Sequence, residues 1–229
     1  MKTETVSIQL MNGAQVSAVI TVPEGYQTGE GVGLILAHGA GNDMNHPLIV
    51  SLAEGLAAAG YLGLRFNFLY RERGRKGPDR QEVLVATWEK VYQYLQSHQE
   101  YRPKNILAAG KSMGGRVASQ MVAEGLLPVS RLIFLGYPLH PPGKKEKLRD
   151  SHFDQITIPM LFFAGTRDSL CNLTALEQVL QRLSVSSELQ IIEGGDHSFN
   201  LPKSSTRTQE EVYLQILDRT LQWLETGDS

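Results

Sequence analysis

The sequence predicts an α/β protein: a mostly parallel, doubly wound sheet of about eight strands with helices on both faces. Three observations carry this. Short runs that are apolar throughout, such as Gly33-Leu-Ile-Leu-Ala37, read as strands covered on both sides. These runs alternate with stretches of helical length and period, the order of repeated βα units. The first two strands instead alternate apolar and polar residues around an Asn12-Gly13 turn, which marks an antiparallel hairpin at a sheet edge.

In chain order, residues 4–10 and 16–22 form the hairpin, and 26–31 a polar, Gly-rich loop. Residues 33–37 are the first fully buried strand. A helix over 47–59 stops at Gly60, a residue that ends helices because it tolerates the left-handed conformation. A strand at 61–68 and a polar loop at 69–78 follow, and Asp79 caps a helix running to about residue 96. Strand 105–109, helix 113–124 and strand 131–135 come next. A Pro-rich, charged segment covers 137–155. Strand 159–164, helix 173–183, strand 189–192 and a closing helix over 206–224 complete the pattern.

The chain has 229 residues, 41% apolar and 20% charged, which suits a single folded domain over 1–229. A formal charge of -2 gives no general pull toward nucleic acid or an anionic membrane, so neither is expected as a partner. Cys171 is the only cysteine, which excludes an internal disulfide and a multi-cysteine metal site. The first ten residues lack the apolar core of a secretory signal, and no run is long enough to span a bilayer. A cytoplasmic protein is the expectation. The oligomeric state is not readable.

Strand 105–109 runs through Gly110-Lys-Ser-Met-Gly-Gly115 directly into a helix, a G-x-S-x-G motif in its strand–turn–helix setting. Such a turn is tight enough to need glycine on both sides of the serine, and it thrusts the Ser112 hydroxyl outward. It also aims the first amides of the helix at the reacting centre. A phosphate-binding loop, which the Gly-Lys-Ser triplet also suggests, would need glycine at position 105, where Asn105 stands. The other reading is a serine that merely caps the helix.

A serine hydroxyl needs a base to take its proton and a third group to orient that base. Asp168 falls just past strand 159–164, and His197 just past strand 189–192. Singly each is most simply a turn or surface residue. In the order Ser, Asp, His, each at a strand's C-terminal end, they form a candidate catalytic triad. Asp196 is a rival for the acid but adjoins His197 too closely to orient its ring. Asp150 and Asp154 are weaker rivals, and His140 and His152 come too early for the base. Cys171 lacks an elbow and reads as a small buried or rim residue.

Strand 33–37 ends in His38-Gly-Ala-Gly41, a turn suited to supplying an oxyanion donor. The amides of Ala40 and Met113 are the candidates, and His38 reads as a brace of the turn. The run Tyr70-Arg-Glu-Arg-Gly-Arg-Lys76 lies at the same sheet edge, and its charge suits a carboxylate or phosphate on a substrate. Arg71 and Arg73, with His38 and His140, are the candidate substrate contacts. The alternative for the run is a solvated face with internal ion pairs through Glu72 and Asp79. Leu139, Pro141, Pro142 and Phe153 are candidates for an apolar wall. About 20 residues separate strands 131–135 and 159–164, room for little more than a loop, so the cleft is expected to be open.

With these parts in place the chain resembles the α/β-hydrolase superfamily over nearly its whole length. More narrowly it resembles the dienelactone-hydrolase-related group of KANL/Tex-type hydrolase-like proteins. The matching segments are His38-Gly-Ala-Gly41, Arg65-Phe-Asn-Phe68, Glu72-Arg-Gly-Arg75 with Pro78-Asp79, Gly110-Lys-Ser-Met-Gly-Gly115, Gly136-Tyr-Pro-Leu-His-Pro-Pro-Gly143, Gly165-Thr-Arg-Asp168 and Gly195-Asp-His-Ser-Phe199. The resemblance implies an α/β-hydrolase fold with minimal or no cap domain, a Ser-His-Asp triad and serine-hydrolase chemistry. The expected activity is that of a carboxylesterase acting on a small-molecule acyl substrate through an acyl-enzyme, with no metal or organic cofactor. The alternatives are a non-catalytic binding or scaffold module, a role some members of the narrower group fill, and an acyltransferase.

Overall fold

Among residues 1–226, which the computed structural model describes, eight strands join in one sheet. They are β1 Lys2–Gln9, β2 Gln15–Val22, β3 Val32–Ala37, β4 Leu62–Phe66, β5 Asn105–Lys111, β6 Leu132–Leu135, β7 Met160–Gly165 and β8 Ser187–Ile192. The helices are α1 Pro47–Ala58, α2 Leu69–Glu72, α3 Gln81–Gln96, α4 Met113–Ala123, α5 Leu173–Gln181 and α6 Gln209–Glu225. The spatial order is β1-β2-β4-β3-β5-β6-β7-β8. β1 pairs antiparallel with β2, and β2 with β4; every later pairing is parallel. This is the α/β-hydrolase fold that the sequence predicts.

The uninterrupted apolar strands follow from burial on both faces. Ile35, Ala108, Phe134 and Phe162 point into one core, beneath α3, α4 and α5. Leu34, Leu36, Leu107, Ile133 and Phe163 point into the other, beneath α1 and α6. Alternate residues thus serve opposite cores, and no position in the strand interior is free to be polar.

Helix ends are set by local chemistry. Pro47 occupies the first turn of α1, and Gly60, at φ 96°, releases the chain into β4. Thr208 and Glu211 close a reciprocal capping box at the start of α6. The predicted cap on α3 is corrected: its N-cap is Arg80, with no side-chain bond, and Asp79 is paired with Arg75 instead. β4 stops at Phe66 rather than 68: the Asn67 amide still reaches the Ser17 carbonyl, but the Phe68 amide donates to His38 Nε2 instead of to a strand. The predicted loop after it contains the single turn α2.

Between β6 and β7 the chain forms a strap rather than a cap; its one regular element is a 3-10 turn at Phe153–Gln155. Leu139 and Phe153 are wholly buried, Phe153 packing on Phe134, Tyr137 and Phe162. They belong to the core, where a fully buried ring contributes about 2–3 kcal/mol, and not to an exposed apolar wall.

β3 is where the chain reverses direction across the sheet. It lies between β4 and β5, with Ala37 in register with Phe66 on one side and Gly110 on the other. Loops leaving β3 and β5 diverge at this switch point, the place where open sheets of this kind form a crevice at the C-terminal ends of their strands.

Candidate active site

Gly110-Lys-Ser-Met-Gly forms a strained turn between β5 and α4. Ser112 sits at φ 49° and ψ −112°, a backbone state that L residues rarely adopt. A Cβ on Gly110 would fall 2.1 Å from the Gly115 nitrogen, and one on Gly114 would fall 2.7 Å from the His38 carbonyl oxygen. Only glycine lets the strand and helix approach this closely. The Ser112 side chain makes no capping bond to α4, which removes the helix-cap reading.

The hydroxyl lies instead 2.8 Å from His197 Nε2. His197 Nδ1 is 2.8 Å from Asp168 Oδ2 and 3.0 Å from Oδ1. Because Nδ1 faces carboxylate oxygens, it carries the ring proton, and Nε2 is left to accept from the serine. The Asp168 carboxylate is wholly buried and also takes the Leu170 amide at 2.7 Å. His197 keeps 20% of its side chain exposed, so the relay opens to solvent at the serine end.

Backbone contacts hold the two loops that carry these residues. A Cβ on Gly165 would lie 2.1 Å from the Gly195 oxygen, and one on Gly136, at φ 70°, 2.9 Å from the His197 oxygen. The Arg167 amide donates to the Gly195 carbonyl at 2.9 Å. Asp196 turns away from the relay and accepts from the Ser198 and Asn200 amides. Burial pushes its carboxyl up, but the Asn200 and Ser198 amides outweigh this and hold it below its usual value. It closes its own loop.

His38 is fully buried. Its Nδ1 lies 2.8 Å from the Gly39 oxygen, and its Nε2 accepts the Phe68 amide at 3.1 Å. Burial holds its pKa down at about 4, so the ring stays neutral near pH 7. The substrate contact expected of His38 is therefore corrected; the ring braces the turn. A Cβ on Gly39 would lie 3.4 Å from Ser112 Cβ, which sets exposed Ala40 in the segment beside the serine. Met113 opens α4, where the first amides lack intrahelical acceptors.

Two of the four cations in the basic run are paired, both with acids that lie outside it. Arg71 faces Asp43 at 3.4 Å and donates to the Arg75 carbonyl at 3.2 Å. Arg75 pairs with Asp79, whereas Glu72 accepts from the Ser17 amide and hydroxyl and makes no ion pair among the described residues. Arg71 thus braces the loop after β3 and is not free for a substrate; Arg73 is exposed. His140 is buried against the β7 loop, its amide donating to the Leu170 carbonyl at 3.1 Å, and bonds to neither Ser112 nor His197. His152 bonds Ser119 at 2.8 Å, and Asp150 and Asp154 both face Arg182. Cys171 is buried, its thiol pushed up to about 12 by burial and so held protonated.

Two residues escaped the sequence reading. Arg65 donates to the Met44 carbonyl and to Asn45 Oδ1, pinning the loop that follows the oxyanion turn. Lys111 is buried to 2% exposure; burial lowers its ammonium pKa, with Asp168 and Asp196 opposing. Its strand register with Leu107 and Ala109 was the available signal.

A family model described as "Alpha/beta hydrolase domain" matches residues 30–225. The chain belongs to the α/β-hydrolase family. Among solved structures, this α/β-hydrolase is similar to an α/β serine hydrolase homologue from Coxiella burnetii, at TM-score 0.75 and 20% identity over 98% of both chains. It is similar to dienelactone hydrolase from Anabaena variabilis, at TM-score 0.74 and 19% identity over 98% and 97% of the two chains. A lidless α/β serine hydrolase from Xanthomonas campestris matches at TM-score 0.73 and 18% identity over 97% and 95%. At such identities the likeness is one of fold. Among the described residues, no helix is long and apolar enough to cross a membrane.

Proposed function

We propose that this α/β-hydrolase cleaves a carboxylic ester of a small molecule through an acyl-enzyme on Ser112. The observation that carries the reading is the hydrogen-bonded relay Ser112–His197–Asp168, with the serine held on a strained elbow at the mouth of the crevice. His197 Nε2 takes the hydroxyl proton as Oγ adds to the carbonyl carbon. Asp168 holds the imidazole in place and stabilises its charged form. The amides of Ala40 and Met113 receive the developing oxyanion, a donor pair in which each member is worth about 10²–10³ in rate. The imidazolium then returns its proton to the departing alcohol, and water repeats the sequence to release the acid. The similarity in fold to proteins described as serine hydrolases and esterases supports this chemistry, and the uncapped strap favours soluble esters.

A fluorophosphonate probe tests the reading directly. The wild-type chain should be labelled stoichiometrically at Ser112, with labelling lost in Ser112→Ala and suppressed in His197→Ala. Ester turnover should fall by about 10⁴–10⁶ in either variant. A folded wild-type chain that neither labels nor turns over any member of a broad ester panel would leave a binding module as the better account.

A further inference from the structure

Beside the Asp168 loop lies a second cavity, of about 220 Å³, that neither Ser112 nor His197 lines. Its walls come from the strap at His140 and Lys145, from the β7 loop at Thr166 and Asp168, and from the start of α5 at Asn172 and Thr174. Hydrogen-bond donors are available there that the fold does not use.

His140 is 1% exposed, and its Nε2 is buried without any hydrogen-bond partner among the described residues. Its Nδ1 lies 3.1 Å from the Pro141 carbonyl oxygen, which can only accept, so Nδ1 holds the ring proton and Nε2 is spare. A buried nitrogen left in this state is destabilising until a ligand satisfies it. The first turn of α5 opens on the same cavity. Asn172 Oδ1 takes the Ala175 amide at 2.9 Å, which leaves the Leu173 and Thr174 amides at the positive end of the helix without an acceptor among the described residues. Lys145 adds an exposed ammonium with no ion pair among the described residues. The one opposing charge in the wall is the Asp168 carboxylate, and it is turned inward onto His197 and the Leu170 amide. The Thr166 hydroxyl is already spent on Glu193 and Gly194.

The geometry points to a binding site for a phosphate group in this cavity. Amides from a helix start, an ammonium and an imidazole approach from different sides, which suits a tetrahedral oxyanion. A phosphate leaves room in the volume for a short organic tail. His140 Nε2 would turn its lone pair toward the ligand and accept a hydrogen bond from the P–OH of a protonated phosphate. The occupant would also sit close to the acid: the His140 amide holds the Leu170 carbonyl, and the Leu170 amide holds Asp168.

Calorimetric titration of the full chain with inorganic phosphate tests this without reference to any reaction at Ser112. The expected result is one saturable site. Lys145→Ala, an exposed change that leaves the fold intact, should weaken it by about tenfold; His140→Phe should abolish it. Glycerol phosphate separates the sources: equal affinity marks free phosphate as the ligand, and a gain of about tenfold or more marks a phosphoryl group on a larger molecule. Absence of saturable binding to the wild-type chain at millimolar phosphate overturns the proposal. So does binding that is indifferent to both Lys145→Ala and His140→Phe.

Discussion

Lys111, one residue before Ser112, places an ammonium in the interior with no hydrogen-bond partner among the described residues, within electrostatic range of Asp168, Asp196 and His46. Its pKa is lowered by burial more than the two carboxylates raise it, so the unfolded chain binds this proton more tightly than the native one. Stability should therefore rise as pH climbs toward the ordinary lysine value of 10.5. Lys111→Met keeps the length of the side chain and removes the charge. We expect it to stabilise the fold at pH 7 by about 1–3 kcal/mol in urea titrations; a lower midpoint would mean that the ammonium is satisfied after all. If turnover falls while stability rises, the charge serves the neighbouring relay. The sequence shows the lysine but hides its burial, because a motif reads the residues around a serine and not the register of the strand before it. Ser112, Asp168 and His197 were legible for the opposite reason: chain order and strand ends set where loops converge. The direction of a ring is less legible in that way: the sequence reads His38 both as a brace of the turn and as a substrate contact, and the buried ring keeps only the first role.

The loop after β3 is the element on which the oxyanion turn depends, and five side chains hold it. His38 and Tyr70 grip Gly39, Asn67 Oδ1 accepts the Met44 amide, Arg65 donates to the Met44 carbonyl, and Arg71 faces Asp43. His38 can accept from Phe68 only while neutral. Its native pKa of about 4 lies below the unfolded value of 6.5, so the unfolded chain gains the proton first on acidification. Stability should be unaffected above pH 6.5 and should fall below it by about 1.4 kcal/mol per pH unit until the native ring itself titrates. Urea midpoints of wild type and His38→Gln across that window check this; equal slopes would refute it. Arg71, with 23% of its side chain exposed and in a partly solvated pair worth about 0–1 kcal/mol, acts through the loop. Arg71→Ala should lower kcat/KM by about two- to tenfold for neutral and anionic esters alike, and Arg73→Ala should leave both unchanged. A selective loss on anionic esters would restore the substrate-binding reading. Element ends were the least legible feature, because partners outside the element claim the groups that its pattern would use: His38 takes the Phe68 amide past the end of β4, and Arg75 draws Asp79 away from the α3 cap.

Across the whole molecule, topology was legible because two burial patterns impose it. Fully apolar strands require helices on both faces, and an alternating hairpin can only close an edge. The family match begins at residue 30, yet the hairpin is integral: β2 pairs with β4, and Ile8, Val16, Ala18 and Ile20 fill the core. Chain length between β6 and β7 likewise forecast the missing cap, though not that Leu139 and Phe153 would draw the strap down onto the sheet. That packing decides how substrate reaches Ser112. A lid that shields a serine must move before an ester can enter, and enzymes so built gain rate when an interface holds the lid open. Here the strap is anchored at several points. Tyr137 donates to the Arg149 carbonyl at 2.8 Å, the Arg149 amide donates to the Leu139 carbonyl at 2.7 Å, and Phe153 is locked among aromatic rings. Releasing it would expose those rings at a cost of about 2–3 kcal/mol each, so it cannot serve as a gate. Turnover of a short-chain triglyceride should therefore follow one saturation curve through its solubility limit. A rate jump where droplets form would show that a segment does open, and would overturn the lidless account of the crevice.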